Sequence, residues 1–299
     1  MADTEPFLPY GKHCIEDDDI EAVAETLRSD FLTTGPKVEA FELRLAEITG
    51  AKHAIAVSNG TAALHLAAMA LDLGPGDAVV VPTLTFLATA NAARYVGAEV
   101  IFADVDPKTG LLTSDTLTDA LKRGGSDVRA VFPVHLNGQT ADMTAMTAVE
   151  GAADLAFVED SCHALGGMQT TSGGTPAPVG CCADSAMTVF SLHPVKVVAM
   201  GEGGAITTND SLLNDRIRRL RNIGMVREPD AFQVPIQAFD SEGEANPWYY
   251  EMPELGFNYR ASAIHCALGL SQLSKLERFV ATRNRLLGRY RNALAALSP

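Results

Sequence analysis

One lysine lies in an apolar, irregular stretch between two strand-like segments. The stretch runs from Ser191 to Met200 (SLHPVKVVAM), after apolar residues that begin at Met187 and before the glycine-rich 201–204. This pattern predicts a crossing between two buried strands, with Lys196 inside it. Apolar neighbours disfavour a charged ammonium, and such a lysine suits Schiff-base chemistry with a carbonyl compound. The alternative is a lysine whose stem lies on apolar surface while its ammonium reaches solvent.

An aspartate ends another predicted strand, LAFVED, so its carboxylate should emerge at the same edge of the sheet as the lysine. Asp160 could keep the ring nitrogen of a pyridine cofactor protonated, which makes that ring an electron sink. His163 follows three residues later and could lie beside Asp160. The alternatives are a turn or helix cap for Asp160 and a packing role for His163.

A phosphate-binding cup is predicted where a strand passes directly into a helix. The strand AIAVS ends at Ser58, and the helical sequence NGTAALHLAAMALDL follows without a linker. Free backbone N–H groups and the positive end of the helix dipole favour an anion at such a start. Gly60 and Thr61 would supply this start, and the hydroxyl of Ser191 would reach it. Phe86, after the strand AVVVPT, could stack on a planar ring, or it could pack in the core.

No dinucleotide-binding, P-loop or zinc motif accompanies these residues. The sequence GEGG after the lysine segment lacks the G-x-G-x-x-G spacing and leads into a strand, and neither G-x-x-x-x-G-K-[ST] nor H-E-x-x-H occurs. A zinc site would have to use Cys162, His163, Cys181, Cys182 and His193. Adjacent cysteines do not easily bind one tetrahedral ion in standard spacing, so no metal site is predicted.

The elements that would position these residues alternate along the chain. Apolar runs of four to eight residues separated by helical patterns indicate an α/β fold with three layers, αβα, whose mainly parallel sheet is covered on both faces. Near the amino end, Ile20, Val23 and Leu27 share one face of a predicted surface helix. Residues 225–251 are a long excursion of the kind that often forms a lid or binding loop, and residues 261–296 are predicted as one or two helices.

The composition favours a soluble globular enzyme. The chain has 299 residues and a formal net charge of −14, so nucleic acid and anionic membranes are not expected partners. The sequence starts without a signal-peptide pattern, and no apolar run is long enough to span a bilayer, so a cytoplasmic location is expected. Five cysteines without a C-x-x-C pair favour reduced thiols over a disulfide framework.

Taken together, these features resemble the DegT/DnrJ/EryC1/StrS sugar aminotransferases, a family of fold-type I pyridoxal-phosphate (PLP) enzymes. The resemblance covers nearly the whole chain and implies an aspartate-aminotransferase-like fold with PLP as cofactor. It is carried by SDFLTTGP (Ser29–Pro36), SNGTAALH (Ser58–His65), TFLATANAARYVGAEVIFADVD (Thr85–Asp106), EDSCHALGG (Glu159–Gly167), FSLHPVKVVAMGEGGAITTND (Phe190–Asp210) and GFNYRASAIHCALGLSQL (Gly256–Leu273).

The resemblance also implies roles for single residues. Lys196 would hold the cofactor covalently and then move a proton between cofactor and substrate carbons. Asp160 would pair with the pyridine nitrogen, and His163 would border the phenolic oxygen of the ring. The other cofactor contacts would come from Gly60, Thr61, Phe86 and Ser191, and from Asn258 across the interface of a homodimer. The substrate-contacting positions of the family correspond to Tyr10, Asp30, Phe31, Leu32 and Thr33.

Within the family, PYGKHCI, PVHLNGQ, HPVK and PWYYE are most similar to the transaminases that make UDP-4-amino-4,6-dideoxy-N-acetyl-β-L-altrosamine for pseudaminic acid synthesis. The expected reaction is amino transfer from glutamate to C4 of a UDP-linked 4-keto-6-deoxy-N-acetyl-hexosamine. Another 3- or 4-ketosugar aminotransferase and a non-catalytic sugar-nucleotide-binding relative are the alternatives. Dehydratase relatives have histidine in place of the lysine, so Lys196 argues against them.

The chain departs from the family pattern in two places. Members usually continue into a small C-terminal domain, and here the sequence ends where that domain should begin. We therefore expect a large PLP-binding domain at residues 1–260 and the helical start of a truncated domain at residues 261–299. Val197–Met200 also replaces the more polar residues that are common after the lysine.

Overall fold

The computed structural model describes residues 11–297, and a seven-stranded sheet forms its centre. Two further strands within these residues form a separate hairpin. The strands are β1 (His53–Val57), β2 (Ala78–Pro82), β3 (Glu99–Ala103), β4 (Val128–Val131), β5 (Ala156–Asp160), β6 (Met168–Thr170), β7 (Pro176–Pro178), β8 (Met187–Ser191) and β9 (Gly204–Thr208).

The sheet is mainly parallel, as its sequence predicts. Its strand order is β1-β9-β8-β5-β4-β2-β3. All pairings from β8 to β3 are parallel, while β9 runs antiparallel to both β1 and β8. The strands are short apolar runs, and Val79, Val80 and Val81 are fully buried. Such continuous burial fits a sheet whose two faces are both covered by helices.

The helices lie on both faces of this sheet and complete the predicted three layers. Alternate residues of β1 show the division, because Ile55 and Val57 pack in a core with α3, α4 and α7, whereas Ala54 and Ala56 pack in a core with α2 and α9. The helices are α1 (Asp17–Leu27), α2 (Pro36–Thr49), α3 (Gly60–Ala70), α4 (Leu87–Tyr95), α5 (Ser114–Gly124), α6 (Met143–Thr147), α7 (Ser211–Leu220), α8 (Pro235–Ala238), α9 (Ala263–Leu273) and α10 (Leu276–Leu294).

The outer parts of the chain are less regular. Residues 225–251 contain only the short helix α8, a 3₁₀ turn at Pro229–Ala231 and isolated bridges, in keeping with a long excursion. Helix α9 packs against α1 and α2, whereas α10 leaves Leu286, Leu287 and Leu294 exposed. The division into domains at residue 260 stays a prediction. Among residues 11–297, no helix is long and apolar enough to cross a membrane.

Helix α1 packs through a different face from the one its apolar residues predict. Ile20 and Leu27 are 59% and 55% exposed, whereas Asp19 and Thr26 are buried. The apolar residues Ile20 and Leu27 therefore do not mark the packed face of this surface helix. Polar contacts help to fix the orientation of this helix, because Ser271 and Gln272 of its neighbour α9 present hydrogen-bond donors to it.

Asp19 connects α1 to the carboxyl end of α9. Its carboxylate accepts hydrogen bonds from Ser271 (2.6 Å) and Gln272 (2.7 Å) and pairs with the ammonium of Lys275 (2.8 Å). Burial alone would raise the pKa of Asp19, but these donors outweigh it and hold the pKa below its ordinary value. Burial would lower the pKa of Lys275, which is 8% exposed, but its bonds to Asp18, Asp19 and Glu16 outweigh burial and raise the pKa. The cluster therefore stabilises the fold while Asp19 is ionised.

Replacement of Lys275 by methionine should destabilise the protein, because Asp19 would remain buried without its cation. We expect the free energy of unfolding at neutral pH to fall by roughly 3 kcal/mol. The contribution of Asp19 is present above its unfolded-state pKa and is lost as the pH falls through its lower folded-state pKa, so the variant should also show a weaker loss of stability in acid. Denaturant titrations at neutral and acidic pH measure both effects.

The matched control is Lys122→Met. Lys122 pairs with Asp119 at 3.2 Å, and both side chains are about 70% exposed. Such a pair contributes less than about 1 kcal/mol. Equal losses for the two variants would contradict the role given to the buried cluster.

Candidate active site

A cavity of about 620 Å³ lies beyond the carboxyl ends of β5 and β8. It brings together seven residues that the sequence singles out, from four separate parts of the chain. These residues are Gly60, Thr61, Phe86, Asp160, His163, Ser191 and Lys196. The position agrees with the general location of ligand sites in parallel sheets.

Of the other predicted site residues, Asn258 and residues 30–33 do not line this cavity. Asn258 lies in a segment that pairs with Asn222, and residues 30–33 form an exposed connection between α1 and α2. The carbonyl of Thr33 accepts a hydrogen bond from Ala263 at the start of α9. Tyr10 lies outside the described residues. The roles of Asn258, Tyr10 and residues 30–33 stay predictions, since the resemblance gives Asn258 a place in the site of a second subunit.

The amino end of α3 forms a narrow cradle for an anion. Asn59 caps the helix by accepting a hydrogen bond from Ala62 N–H at 2.8 Å. Within residues 11–297, the N–H groups of Gly60 and Thr61 have no protein acceptor. A Cβ atom on Gly60 would lie 2.9 Å from Cβ of Ser191, so a side chain there would close the cradle. These features suit a phosphate group.

Asp160 is held at the end of β5 with its carboxylate at the cavity. Its exposure is 4%, and its Oδ2 accepts a hydrogen bond from the hydroxyl of Thr89 at 2.7 Å. The Thr89 hydroxyl in turn accepts from Thr85, also at 2.7 Å. The other oxygen, Oδ1, accepts from the N–H of Cys162 at 3.2 Å. Thr89 of α4 and the backbone after β5 therefore fix the orientation of this carboxylate. A carboxylate that pairs with a ring nitrogen needs such a fixed orientation.

Glu159 precedes Asp160 and faces the opposite side of the sheet. Its fully buried carboxylate accepts hydrogen bonds from His135 Nε2 (2.8 Å), from Thr188 (3.2 Å) and from Ser185. Burial would raise the pKa of Glu159, but these donors hold the pKa below its ordinary value. The Ala141 N–H donates to Nδ1 of His135 at 3.1 Å, so the proton of the neutral ring lies on Nε2.

His163 has a defined tautomer in the cavity. The N–H of Asn137 donates to its Nδ1 at 3.2 Å, which leaves the proton of the neutral ring on Nε2. Burial, and to a lesser extent the charge of Lys196, lower the pKa of His163, while Asp160 acts in the opposite direction. His163 is therefore a neutral hydrogen-bond donor through Nε2. This suits a ring that borders an oxygen of a bound ligand.

Lys196 lies in the irregular segment between β8 and β9, as the sequence predicts. Its N–H donates to His193 O at 2.8 Å, and its carbonyl accepts from Nη2 of Arg283 at 2.9 Å. The side chain is partly exposed at the cavity. The thiol of Cys162 lies in the same wall, and burial together with nearby Asp160 raises its pKa well above the ordinary value. Cys162 is therefore a neutral wall residue and Lys196 the candidate nucleophile.

Comparison with known proteins identifies the family. A model of the DegT/DnrJ/EryC1/StrS aminotransferase family matches residues 13–299. The chain belongs to this family.

Several relatives of this DegT/DnrJ/EryC1/StrS protein are similar to it in sequence or in structure. The spore coat polysaccharide biosynthesis protein SpsC of Bacillus subtilis is 39% identical over 287 residues, which are 96% of this chain and 69% of SpsC. Spr1654 of Streptococcus pneumoniae, solved in its PLP form, is 26% identical with a TM-score of 0.82 over 96% of this chain and 71% of that one. Helicobacter pylori PseC, an aminotransferase involved in the biosynthesis of pseudoaminic acid, is 27% identical with a TM-score of 0.80 over 96% and 70%.

The family assignment makes this chain a PLP-dependent sugar aminotransferase, and it confirms the predicted fold and cofactor. The cavity fits PLP. The cradle at α3 suits the phosphate, Asp160 offers a carboxylate to the ring nitrogen, and Lys196 offers an amine to the aldehyde. Bound PLP supplies an electron sink for the reacting carbon.

Sequence reasoning missed several residues that shape this site. Thr89 and Asn137 act through single hydrogen bonds to Asp160 and His163, and Arg283 approaches Lys196 from α10. Thr89 follows Phe86, a predicted site residue, by one helical turn, and this spacing weakly indicates that Thr89 lies at the same site. The other two contacts join residues far apart in the chain, so neither periodicity nor a motif could have indicated them.

The tautomer of His163 can be tested directly. In ¹⁵N NMR spectra of histidine-labelled protein, Nε2 of His163 should carry the proton and Nδ1 should not, with the resonances assigned from their loss in His163→Gln. Because the charge of Lys196 lowers the pKa of His163, Lys196→Ala should raise that pKa in a pH titration. A proton on Nδ1 at neutral pH would contradict the hydrogen bond from Asn137.

Proposed function

We propose that the protein transfers an amino group from glutamate to C4 of a UDP-linked 4-keto-6-deoxy-N-acetyl-hexosamine, giving UDP-4-amino-4,6-dideoxy-N-acetyl-β-L-altrosamine. The observation that carries the aminotransferase chemistry is the meeting of Lys196, Asp160 and the α3 cradle in one cavity. The likeness to PseC and the sequence PVHLNGQ support the pseudaminic acid pathway. The likeness to SpsC favours a second candidate, another ketosugar nucleotide as acceptor.

The residues of the cavity have separate tasks in this reaction. Lys196 anchors the cofactor and carries the proton between the reacting carbons, as expected for an amine that is partly exposed in an irregular segment. Asp160 keeps the ring nitrogen protonated, and the hydroxyl of Thr89 keeps that carboxylate in place. His163 donates through Nε2 to an oxygen of the bound ring. The α3 cradle holds the phosphate.

The acceptor sugar can be identified by a turnover panel. Purified protein loaded with PLP and supplied with glutamate is mixed with UDP- and dTDP-linked 3- and 4-ketosugars, and amino-sugar products are detected by mass spectrometry. We expect the UDP-linked 4-keto-6-deoxy-N-acetyl-hexosamine to react fastest. Faster turnover of another ketosugar would identify that sugar as the acceptor instead. No reaction with any of them would overturn the proposed function.

Asp160→Asn and Glu159→Gln should separate catalysis from stability. Asp160→Asn removes the charge at the ring nitrogen, a charge-assisted hydrogen bond of about 1.5–3 kcal/mol, so the rate should fall at least tenfold while the melting temperature changes little. Glu159→Gln places an amide N–H among the three donors on the opposite face and should chiefly lower the melting temperature. Near wild-type single-turnover rates for Asp160→Asn would show that this carboxylate does not serve the ring.

The proposed active unit is a homodimer in which Asn258 serves the phosphate of the neighbouring subunit. Lys196→Ala and Asn258→Ala chains, each inactive alone, should regain activity when unfolded together and refolded. In the mixed dimer, one site combines the intact Lys196 of one chain with the intact Asn258 of the other. The control mixes Lys196→Ala with Asp160→Asn, two changes in the same subunit's share of the site, and should stay inactive. Equal recovery in both mixtures would contradict a shared site.

A further inference from the structure

A second cavity of about 550 Å³ meets the first at the lysine segment. Lys196 and Arg283 line both cavities, together with the two valines that flank the lysine. The wall of the second cavity also carries Lys12 and Arg278. The two cavities therefore meet at the nucleophile, and the wall of the second one is basic.

Arg283 is the arginine that the two cavities share. Its Nη2 is fixed by the hydrogen bond to the Lys196 carbonyl at 2.9 Å, and the side chain is otherwise exposed. Within residues 11–297, no carboxylate lies within 4.0 Å of its guanidinium. Arg278, in contrast, is paired with Glu16 at 2.7 Å. Among the described residues, Arg283 thus has N–H donors without an acceptor and a charge without a paired carboxylate beside the lysine, in a chain whose net charge is −14.

We propose that Arg283 binds the α-carboxylate of an amino-acid donor, an inference that rests on the proposed aminotransferase function. The donor nitrogen must reach the same cofactor atom that Lys196 reaches. In an α-amino acid the carboxylate is attached to the carbon that bears this nitrogen, so it must lie close to the lysine segment. A guanidinium tied to the backbone of Lys196 is in the right place, and its planar set of N–H groups matches a carboxylate.

The same geometry separates the donor from the acceptor. The sugar ring of the UDP-linked acceptor has no carboxylate on the carbon that accepts the amino group, so Arg283 gives the reacting end of the acceptor no ionic contact. The second cavity provides room for the donor's side chain next to this arginine. Arg283 is therefore a specificity residue for the amino-acid half of the reaction, and its loss should leave the sugar half nearly unchanged.

The test measures the two halves separately in the PLP-loaded protein. In the first, glutamate converts the cofactor to its amine form, which is followed by absorbance. In the second, the amine form reacts with the ketosugar. Arg283→Gln should raise the glutamate concentration needed for half-maximal rate about tenfold or more and change the ketosugar dependence less than twofold. Arg283→Lys should recover part of the loss because it restores the charge.

Arg285→Gln is the matched control, since Arg285 lies on the same exposed helix and lines neither cavity. Calorimetric titration with glutarate, a dicarboxylate that has no amino group to transfer, gives a readout without turnover. Arg283→Gln should lose glutarate binding, whereas Arg285→Gln should keep it. Unchanged glutamate dependence or unchanged glutarate binding in Arg283→Gln would overturn this inference. An equal loss of rate in the glutamate and ketosugar half-reactions would also overturn it. Failure of the wild type to react with glutamate would instead overturn the proposed function.

Discussion

The active site depends on the register of β5 between its two parallel neighbours. Asp160 is paired with Val189 of β8, and its N–H and carbonyl are bonded to Pro133 and His135 after β4. Because side chains alternate across a strand, a shift by one residue would exchange Asp160 with Glu159. Each carboxylate has donors on its own face, so such a shift would leave both without the partners that hold them. The donors to Glu159 thus help to keep Asp160 at the cavity.

A second constraint is the close approach of β9 to the start of α3. A Cβ atom on Gly204 would lie 2.4 Å from the carbonyl carbon of Asn59 and 2.7 Å from the nitrogen of Gly60. Only glycine allows this contact, and it brings the end of the lysine segment against the helix start that forms the cradle. The phosphate cup and the lysine are therefore parts of one packed unit, although they are far apart in sequence.

The electrostatics of the site contrast with those of the whole chain. A strongly acidic protein does not gather anions on its general surface, so anionic ligands need local donors. Here the backbone N–H groups of α3 and the cations at the lysine segment offer such donors. The carboxylates of Asp160 and Glu159 are buried and held by directed hydrogen bonds.

The sequence alone determined the αβα layers, the mainly parallel sheet, the lysine in an irregular crossing and the residues now found around one cavity. These features are local, because strand length, apolar runs and glycine positions act within a few residues of the chain. Tertiary structure decided the packed face of α1, the pairing of Thr89 with Asp160 and the approach of Arg283 to Lys196. Each of these depends on which distant group is nearest after folding. A hydrogen bond between residues far apart in sequence leaves no periodic pattern, so it appears only when the sheet has brought its partners together.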